Sequence, residues 1–299
     1  MKRIIKIKVL KENKLFFNYS FQMDLSNTTT VMEAKALSKK SFPLISGLEF
    51  FRESFTLNGK PLSEKRVIPK EGILELILQV RNNYNGRKLT RHYLPDERDH
   101  HYPLQLILKK TASKTTLIKL WDDNGWWGDQ GDTPQCVGYA WAHWLDDKLS
   151  NRKYSHPIIP PEIIYEGAKK LDEWKGEDYD GTSVRGGVKY LKAKGKVAKY
   201  YWGSSLEALT IAVQTLGPVV VGTSWYDNMF YPNKLGQISA TGDLAGGHAY
   251  LINGVDPVAK KFRIKNSWGK DWGLGGHAWI SFSDMSKLIR ESGEICCPV

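Results

Sequence analysis

The chain has 299 residues, enough for one large or two modest domains, and its 41% hydrophobic and 25% charged residues are typical of a globular protein. The formal net charge is +11, but lysine and arginine occur in runs no longer than two, so no nucleic-acid partner is expected. The basic N-terminus has its apolar residues broken by lysines, unlike a secretory signal, and no stretch approaches the ~18 apolar residues of a membrane helix. We therefore expect no membrane partner.

The chain contains only three cysteines. Cys136 is isolated, and Cys296 and Cys297 are neighbours, which excludes a framework of disulfides. This usage is typical of a reducing compartment and predicts a cytoplasmic protein, although export without a signal stays open.

Residues 1–80 predict a small, self-contained β-rich domain. Ile4 to Leu10 and Leu15 to Met23 predict two strands, and Thr30 to Glu33 has the spacing of a capping box that opens a short helix. Phe55 to Leu62 predicts a hairpin around Asn-Gly, and Ile73 to Val80 predicts a final buried strand. This order resembles the ubiquitin-like β-grasp fold. The resemblance implies a module that binds a protein partner, but the last strand leads into RNNYNGRK and lacks the diglycine needed for conjugation.

Residues 81–110 are polar and charged, and they predict a linker or a connection along the surface. His100 and His101 raise the question of a metal site. No cysteine or carboxylate cluster at ligand spacing accompanies them, so no metal is expected.

A helix is predicted to begin near Cys136, with one buried face formed by residues at helical spacing, namely Val137, Ala140, Trp141, Trp144 and Leu145. A cysteine at a helix N-terminus experiences the positive end of the helix dipole, which favours the thiolate. A lone cysteine is more often a small buried hydrophobe. Its role therefore depends on a neighbouring base.

A nucleophilic thiol needs an imidazole beside it, and the imidazole needs an orienting group. His248 and His277 stand in similar Gly-Gly-His-Ala words, whereas His143 lies two helical turns from Cys136, too far to share a proton. Asn266 in KNSWGKDWG is a suitable orienting group. Residues alone do not decide between the two histidines.

Gln130-Gly131 before Cys136, then GHAYLING at His248 and KNSWGKDWG at Asn266, resemble the papain family of cysteine peptidases. The resemblance covers residues 117–282. It implies an α+β fold with a helical lobe and a β-barrel-like lobe, here preceded by the ubiquitin-like β-grasp domain, so that residues 111–299 form the peptidase domain.

The family order, Gln, Cys, His, Asn, implies roles for four residues. Cys136 is the nucleophile, His248 the base that forms an ion pair with it, Asn266 the group that orients the imidazole, and Gln130 an oxyanion donor. His277 is then structural. The resemblance implies a peptide or protein substrate and no metal or organic cofactor.

Substrate contacts are less well defined by the sequence. DGTSVRGGVKYL resembles the loop and helix that line the family's substrate groove, which suggests Thr182 and Ser183, and Trp225 and Trp268 are further candidates. Trp268 is also expected to shield the bond between His248 and Asn266 from water. The family's helical inhibitory prosegment is not recognisable, which puts activation by its cleavage in doubt.

Three functions fit these residues. The leading one is hydrolysis of peptide bonds. The same thioester could instead pass to an amine, or the enzyme could remove ubiquitin-like tags or cut its own chain in residues 81–110. The third is a binding protein that keeps the peptidase fold without turnover.

Overall fold

The fold is taken from a computed structural model. It describes residues 2–11, 14–24, 30, 33–34, 50–57, 60–61, 74–80, 87–96, 102–108, 117–121, 126–149, 156–174, 176 and 178–299. These residues fall into two compact units, the first being Met1–Asn82 with Asp178–Asp180 and the second Asn83–Glu177 with Gly181–Val299. None of the helices described combines the length and the apolar character needed to cross a membrane.

The first unit contains a five-stranded sheet. Its strands are β1 (Lys2–Lys11), β2 (Lys14–Asp24), β3 (Phe50–Leu57), β4 (Lys60–Pro61) and β5 (Leu74–Val80). The order across the sheet is β2-β1-β5-β3-β4. The first and last strands, β1 and β5, lie side by side and parallel, while the other neighbours pair antiparallel. The predicted strands are thus confirmed, and Asn58-Gly59 lies outside the described residues between the paired Leu57 and Lys60.

The predicted capping box is present. The backbone N–H of Thr30 donates to Glu33 Oε2 at 2.8 Å, and the backbone N–H of Glu33 donates to Thr30 Oγ1 at 3.3 Å. Glu33 and Ala34 are helical, and the rest of the predicted helix lies outside the described residues. The reciprocal bonds satisfy two backbone donors that a helix start leaves without partners.

The second unit combines helices with a large sheet. Its helices are α1 (Gln105–Leu108), α2 (Cys136–Leu149), α3 (Pro161–Lys169), α4 (Val184–Ala193), α5 (Leu206–Thr215) and α6 (Phe282–Ser292). Its strands are β6 (Arg91–His92), β7 (Lys119–Leu120), β8 (Thr182–Ser183), β9 (Tyr200–Gly203), β10 (Val219–Tyr226), β11 (Gln237–Ile238), β12 (Leu244–Asp256), β13 (Lys261–Lys265), β14 (His277–Ser281) and β15 (Glu294–Pro298).

The large sheet is built around the long strand β12. Its order is β11-β14-β13-β12-β10-β15-β9, and β7 pairs with β12 off this path. Strand β12 pairs antiparallel with β10 on one side and β13 on the other. One hydrophobic core forms between this sheet and the helices α5 and α6. The strands therefore give His248, on β12, a rigid support.

A second hydrophobic core surrounds α2. The predicted apolar face is confirmed, because every member of it is at most 2% exposed, namely Val137, Ala140, Trp141, Trp144 and Leu145. The Nε1–H groups of Trp141 and Trp144 donate to the carbonyls of Val184 and Pro218, so the two large rings bury no unsatisfied donor. This packing fixes the direction of α2 and hence the position of its first residue, Cys136.

Residues 87–92 differ from the expected surface connection. Thr90, Arg91 and His92 are at most 3% exposed, and Leu89 belongs to the core of the sheet lobe. Strand β6 pairs parallel with β8. Backbone groups that would bind water in an exposed linker therefore form hydrogen bonds within the fold. The polar composition was misleading because these polar side chains find partners inside the second unit.

Candidate active site

Cys136 is the first residue of α2 and is fully buried. Burial raises the pKa of its thiol, while the backbone N–H groups of Ala249 and Thr90 and the nearby Arg91 guanidinium act in the opposite direction. The hydroxyl of Thr90 lies 3.9 Å from Cys136 Sγ. The thiol therefore lies between the N-terminus of α2, strand β12 and the segment that precedes β6.

His248 and Asn266 are directly paired. His248 Nε2 lies 2.8 Å from Asn266 Oδ1, which also accepts a hydrogen bond from the backbone N–H of Ser267 at 2.8 Å. Because an oxygen accepts at this position, the neutral imidazole carries its proton on Nε2. Its Nδ1 is buried and has no hydrogen-bond partner among the described residues. A lone pair is thus left on the nitrogen that a base would use.

Aromatic rings enclose the imidazole. Trp268 stacks on His248 with ring centroids 5.1 Å apart, and the edge of Trp225 meets the same ring at 4.7 Å. Phe230 stacks in turn on Trp268. These rings exclude water from the bond between His248 and Asn266. Trp225 is 0% exposed, so its contact is with the imidazole and not with a groove surface.

Burial acts against the charged form of both the Cys136 and the His248 side chain. Burial lowers the pKa of His248 to about 4, against the opposing effect of its bond to Asn266 and with the assistance of the nearby Arg91 and Arg87 charges. Burial raises the pKa of Cys136. The expected thiolate and imidazolium ion pair is therefore disfavoured here, because removal of water penalises both charged forms.

Gln130 lies near the N-terminus of α2 and is 1% exposed. Its Oε1 accepts from the hydroxyl of Ser267 at 2.6 Å, and its backbone N–H donates to the Ser267 carbonyl at 2.8 Å. Its Nε2 donates to the carbonyls of Thr133 at 2.9 Å and Lys88 at 3.1 Å. Ser267 thus joins the Gln130 amide to Asn266, a connection that the sequence analysis missed because only the fold brings these residues together.

The segment 87–92, here called the cover, lies across these groups. Thr90 bridges to Gly247 on one side, and its carbonyl accepts from the Thr182 N–H at 3.3 Å on the other. Arg87 forms a salt bridge with Asp129, and its guanidinium lies 5.8 Å from the centre of the Trp268 ring. The Lys88 carbonyl accepts a hydrogen bond from the side-chain amide of Gln130. The cover therefore occupies the space beside the thiol.

The remaining candidate residues fall into two groups. Thr182 and Ser183 lie against the cover through β8, so they line the same space. His277 and His143 contact Trp127, with ring centroids 4.6 and 6.3 Å away, and His143 Nε2 accepts from the Gly128 N–H. These contacts give the two histidines packing roles. His100 and His101 lie outside the described residues, among which no group of three or more potential metal ligands occurs.

A buried ion pair connects the elements that carry the site. Lys265 Nζ lies 2.8 and 3.0 Å from the two carboxylate oxygens of Asp147, and both side chains are 0% exposed. Asp147 is on α2 with Cys136, and Lys265 immediately precedes Asn266. The pair therefore links the helix of the thiol to the end of β13.

The sequence model of the papain family cysteine proteases matches residues 139–293, more than half of the chain. Xylellain, a cysteine protease from Xylella fastidiosa, has a similar structure, with 21% identity, a TM-score of 0.57, and coverage of 71% of this chain and 96% of that one. Digestive procathepsin L 3 of Tenebrio molitor is 16% identical with a TM-score of 0.49, over 72% of this chain and 76% of that one.

A curated relative, the gamete and mating-type specific protein A of Dictyostelium discoideum, is 30% identical over 98 residues, which are 32% of this chain. The match spans only 22% of that relative's length. The extent of the family match and the fold shared with xylellain agree with each other. The chain belongs to the papain family of cysteine proteases.

Proposed function

We propose that the chain hydrolyses peptide bonds with Cys136 as nucleophile, His248 as base and Asn266 as the group that orients the imidazole. The observation that carries the proposal is the 2.8 Å contact between His248 Nε2 and Asn266 Oδ1, which leaves Nδ1 without a proton. Cys136 lies at the start of α2, against the Ala249 N–H that follows His248 in the chain. This set can accept and return one proton.

In the proposed reaction, the sulfur of Cys136 attacks the carbonyl carbon of the substrate while its proton moves to His248 Nδ1. The tetrahedral intermediate collapses when the C–N bond breaks and His248 returns the proton to the departing amine. Water, deprotonated by His248, then cleaves the thioester, which releases the acid and restores the thiol. No metal or organic cofactor enters this sequence.

Gln130 is the proposed oxyanion donor, together with the backbone N–H of Cys136. The Gln130 amide is oriented by Ser267 and already donates to a carbonyl, that of Lys88. A substrate oxyanion would replace this carbonyl. Donors fixed in advance stabilise such charge strongly, and one of them is worth about 2.7–4 kcal/mol of barrier.

The cover makes the described form latent in this proposal. Thr90 lies against the thiol and Lys88 uses the oxyanion donor, so a peptide cannot enter until residues 87–92 move. The stretch assigned as a linker, residues 81–110, then includes a regulatory segment. We further propose that Thr182 and Ser183 contact substrate where they now contact the cover.

We also propose that residues 1–80 form a ubiquitin-like β-grasp module that recruits or regulates. The order β2-β1-β5-β3-β4, with its parallel central pair, supports this, and the division of the chain near residue 82 supports the boundary. The module would contact a protein partner. All three cysteines are free thiols, which is consistent with a cytoplasmic location.

The test is labelling by a peptidyl epoxide, read by intact mass with the site mapped by digestion, beside cleavage of a peptide pool. Full-length wild type is compared with Arg91→Ala, which weakens the cover, and each is combined with Cys136→Ala or His248→Ala. Cys297→Ala, which removes another buried thiol, is the control. We expect labelling and cleavage that are faster in Arg91→Ala and that require both Cys136 and His248.

Two outcomes would contradict the proposal. Folded Arg91→Ala protein that neither labels nor cleaves would favour a binding protein without turnover. Products that carry an added amine in place of water, detected by mass with glycinamide present, would favour acyl transfer.

A further inference from the structure

A groove of about 500 Å³, called here the lateral groove, lies on the large sheet where β11, β14 and β13 adjoin. Its size is within the range of small-molecule sites in proteins. Pairing places Gln237 of β11 beside Trp279 of β14, and Ser281 of β14 beside Lys261 of β13. All four side chains line the groove and are at least partly exposed. The floor of the lateral groove is therefore the outer face of these strands.

The two sides of the lateral groove differ in charge. The side of β13 includes the hairpin that precedes this strand and contributes Lys260 beside Lys261. The side of β11 includes the segment that precedes it and contributes the amides of Asn228 and Asn233 and the phenol of Tyr231. None of the described residues that line the groove carries a carboxylate. A ligand would therefore meet positive charge on one side and uncharged hydrogen-bonding groups on the other.

The floor of the groove positions the ammonium of Lys261. Its Nζ lies 4.4 Å from the centre of the Trp279 ring, which is a cation–π contact. An ammonium has three donors, and a ring face does not occupy them as an acceptor atom would, so the same group can also bind an anion. The ammonium covers this face of the indole, which leaves an aromatic ligand no room to stack there. Polar contacts must therefore supply most of the recognition.

Lys260 occupies a backbone position that favours glycine. Its φ is 52°, and no other non-glycine residue in the described part of the chain has a positive φ. A side chain in this left-handed region is strained, whereas glycine adopts it freely. The hairpin alone would thus be more stable with glycine. The lysine adds a second positive charge at the groove, which the turn itself does not require.

The uncharged side of the groove is held in a fixed arrangement. Asn228 Nδ2 donates to Thr241 Oγ1 at 2.9 Å, and Asn233 Nδ2 donates to Gln237 Oε1 at 3.1 Å. Side-chain amides and hydroxyls both donate and accept hydrogen bonds, as the hydroxyl groups of a sugar do. A ligand that combines several hydroxyl groups with an anionic group therefore matches both sides of the groove.

We propose that the lateral groove binds an acidic carbohydrate. Lys260 and Lys261 hold its anionic group, which is a uronate carboxylate or a sulfate ester, and Asn228, Tyr231 and Gln237 hold its hydroxyl groups. The site does not involve the thiol, so the inference goes beyond the proposed peptidase function and does not depend on it.

The lateral groove lies on the lobe that carries the imidazole. Tyr231 contacts the ring of Phe230, which stacks on Trp268, and Trp268 stacks on His248. A protein that carries an acidic glycan would thus be held on the same lobe as His248.

The experiment titrates three oligosaccharides calorimetrically into full-length protein at low ionic strength. Trigalacturonate carries carboxylates, neocarratetraose sulfate carries sulfate esters, and maltotriose is uncharged. Sodium sulfate tests an anion without a sugar, and AMP tests a nucleotide. The indole N–H resonance of Trp279, assigned with Trp279→Phe, reports whether the ligand binds in the groove.

Lys260→Gly and Lys261→Met are the test variants. Methionine keeps an apolar stem over Trp279, and glycine relieves the left-handed backbone, so the urea midpoint of Lys260→Gly should equal or exceed that of wild type. Weaker binding by this variant then cannot result from unfolding. Lys196→Met, which removes an exposed lysine after α4, is the matched control for charge. Cys136→Ala tests independence from the thiol.

We expect an acidic oligosaccharide to bind and to shift the Trp279 resonance, and maltotriose to bind about 10-fold more weakly or less. Each test variant should weaken acidic binding about 10-fold, because a hydrogen bond between charged groups is lost. Lys196→Met and Cys136→Ala should bind as wild type does. The tighter of the two acidic ligands identifies the anionic group.

Several results would overturn the inference and leave the peptidase proposal intact. These are equal binding of maltotriose, binding that survives both lysine variants, and no binding of either acidic oligosaccharide. Sulfate that binds as tightly as the oligosaccharides would indicate an adventitious ion only. AMP that binds more tightly than they do would indicate a nucleotide site, and either result rejects the carbohydrate.

Discussion

Replacing Lys265 with methionine should destabilise the second unit by about 3–5 kcal/mol, because it leaves the carboxylate of Asp147 buried without its countercharge. The magnitude follows from the geometry: two contacts of 2.8 and 3.0 Å join side chains that are both 0% exposed. Methionine keeps the apolar contact with the ring of Trp127, 4.7 Å from the ammonium, so the loss reports mainly on the charge.

The assay is urea unfolding followed by tryptophan fluorescence. All 11 tryptophans lie at or after position 121, so the signal reports the second unit alone. Lys261→Met, on the same strand but partly exposed over Trp279, is the control and should cost less than about 1 kcal/mol.

The double variant Lys265→Met/Asp147→Leu decides the interpretation. We expect it to be about as stable as wild type, because removing both charges removes the desolvation cost as well as the attraction. A Lys265→Met cost below about 1 kcal/mol, additive with that of Asp147→Leu, would refute the conclusion that this pair holds α2 against the end of β13.

Three further results are expected. Gln130→Ala should lower kcat by about 10²–10³-fold, because the proposed oxyanion donor is lost. It should nevertheless speed alkylation of Cys136 by a small reagent, because the cover loses its hydrogen bond to Gln130; slower alkylation would contradict this. Stability should fall as pH drops from 6.5 towards about 4, by about 1.4 kcal/mol per unit, because His248 binds a proton in the unfolded chain before it does so in the fold; urea unfolding of His248→Gln should show a shallower slope. Thr30→Ala should cost about 1 kcal/mol in the first unit, seen by hydrogen exchange of the Glu33 amide.

The parts of the fold that the sequence predicts well are those set by local rules. The apolar face after Cys136 repeats at helical spacing, and the Thr30 to Glu33 spacing allows reciprocal bonds, so both features appear as expected. The pairing of His248 with Asn266 was expected from the resemblance to the papain family alone, and the antiparallel pairing of β12 with β13 gives its physical basis.

The cover was not predictable in this way. Its composition is polar, and its partners, Glu294 for Arg91 and Gln130 for Lys88, lie 203 and 42 residues away along the chain. Arg91 is buried because the distant carboxylate of Glu294 pairs with it. No periodic pattern in residues 87–92 indicates this pairing. The same limit applies to Trp225, whose strand position is evident but whose fully buried contact with His248 depends on how the sheet packs.

The cover affects chemistry as well as access. Burial raises the pKa of the Cys136 thiol and lowers that of the His248 imidazole, whereas Thr90 and Arg91 of the cover themselves lower the pKa of the thiol. In the proposed function, displacement of the cover would let water reach the same two groups, and hydration favours their charged forms. The same displacement frees the Gln130 amide from the Lys88 carbonyl and the Glu294 carboxylate from Arg91. In the proposed function, one movement would thus expose the thiol and free the oxyanion donor together.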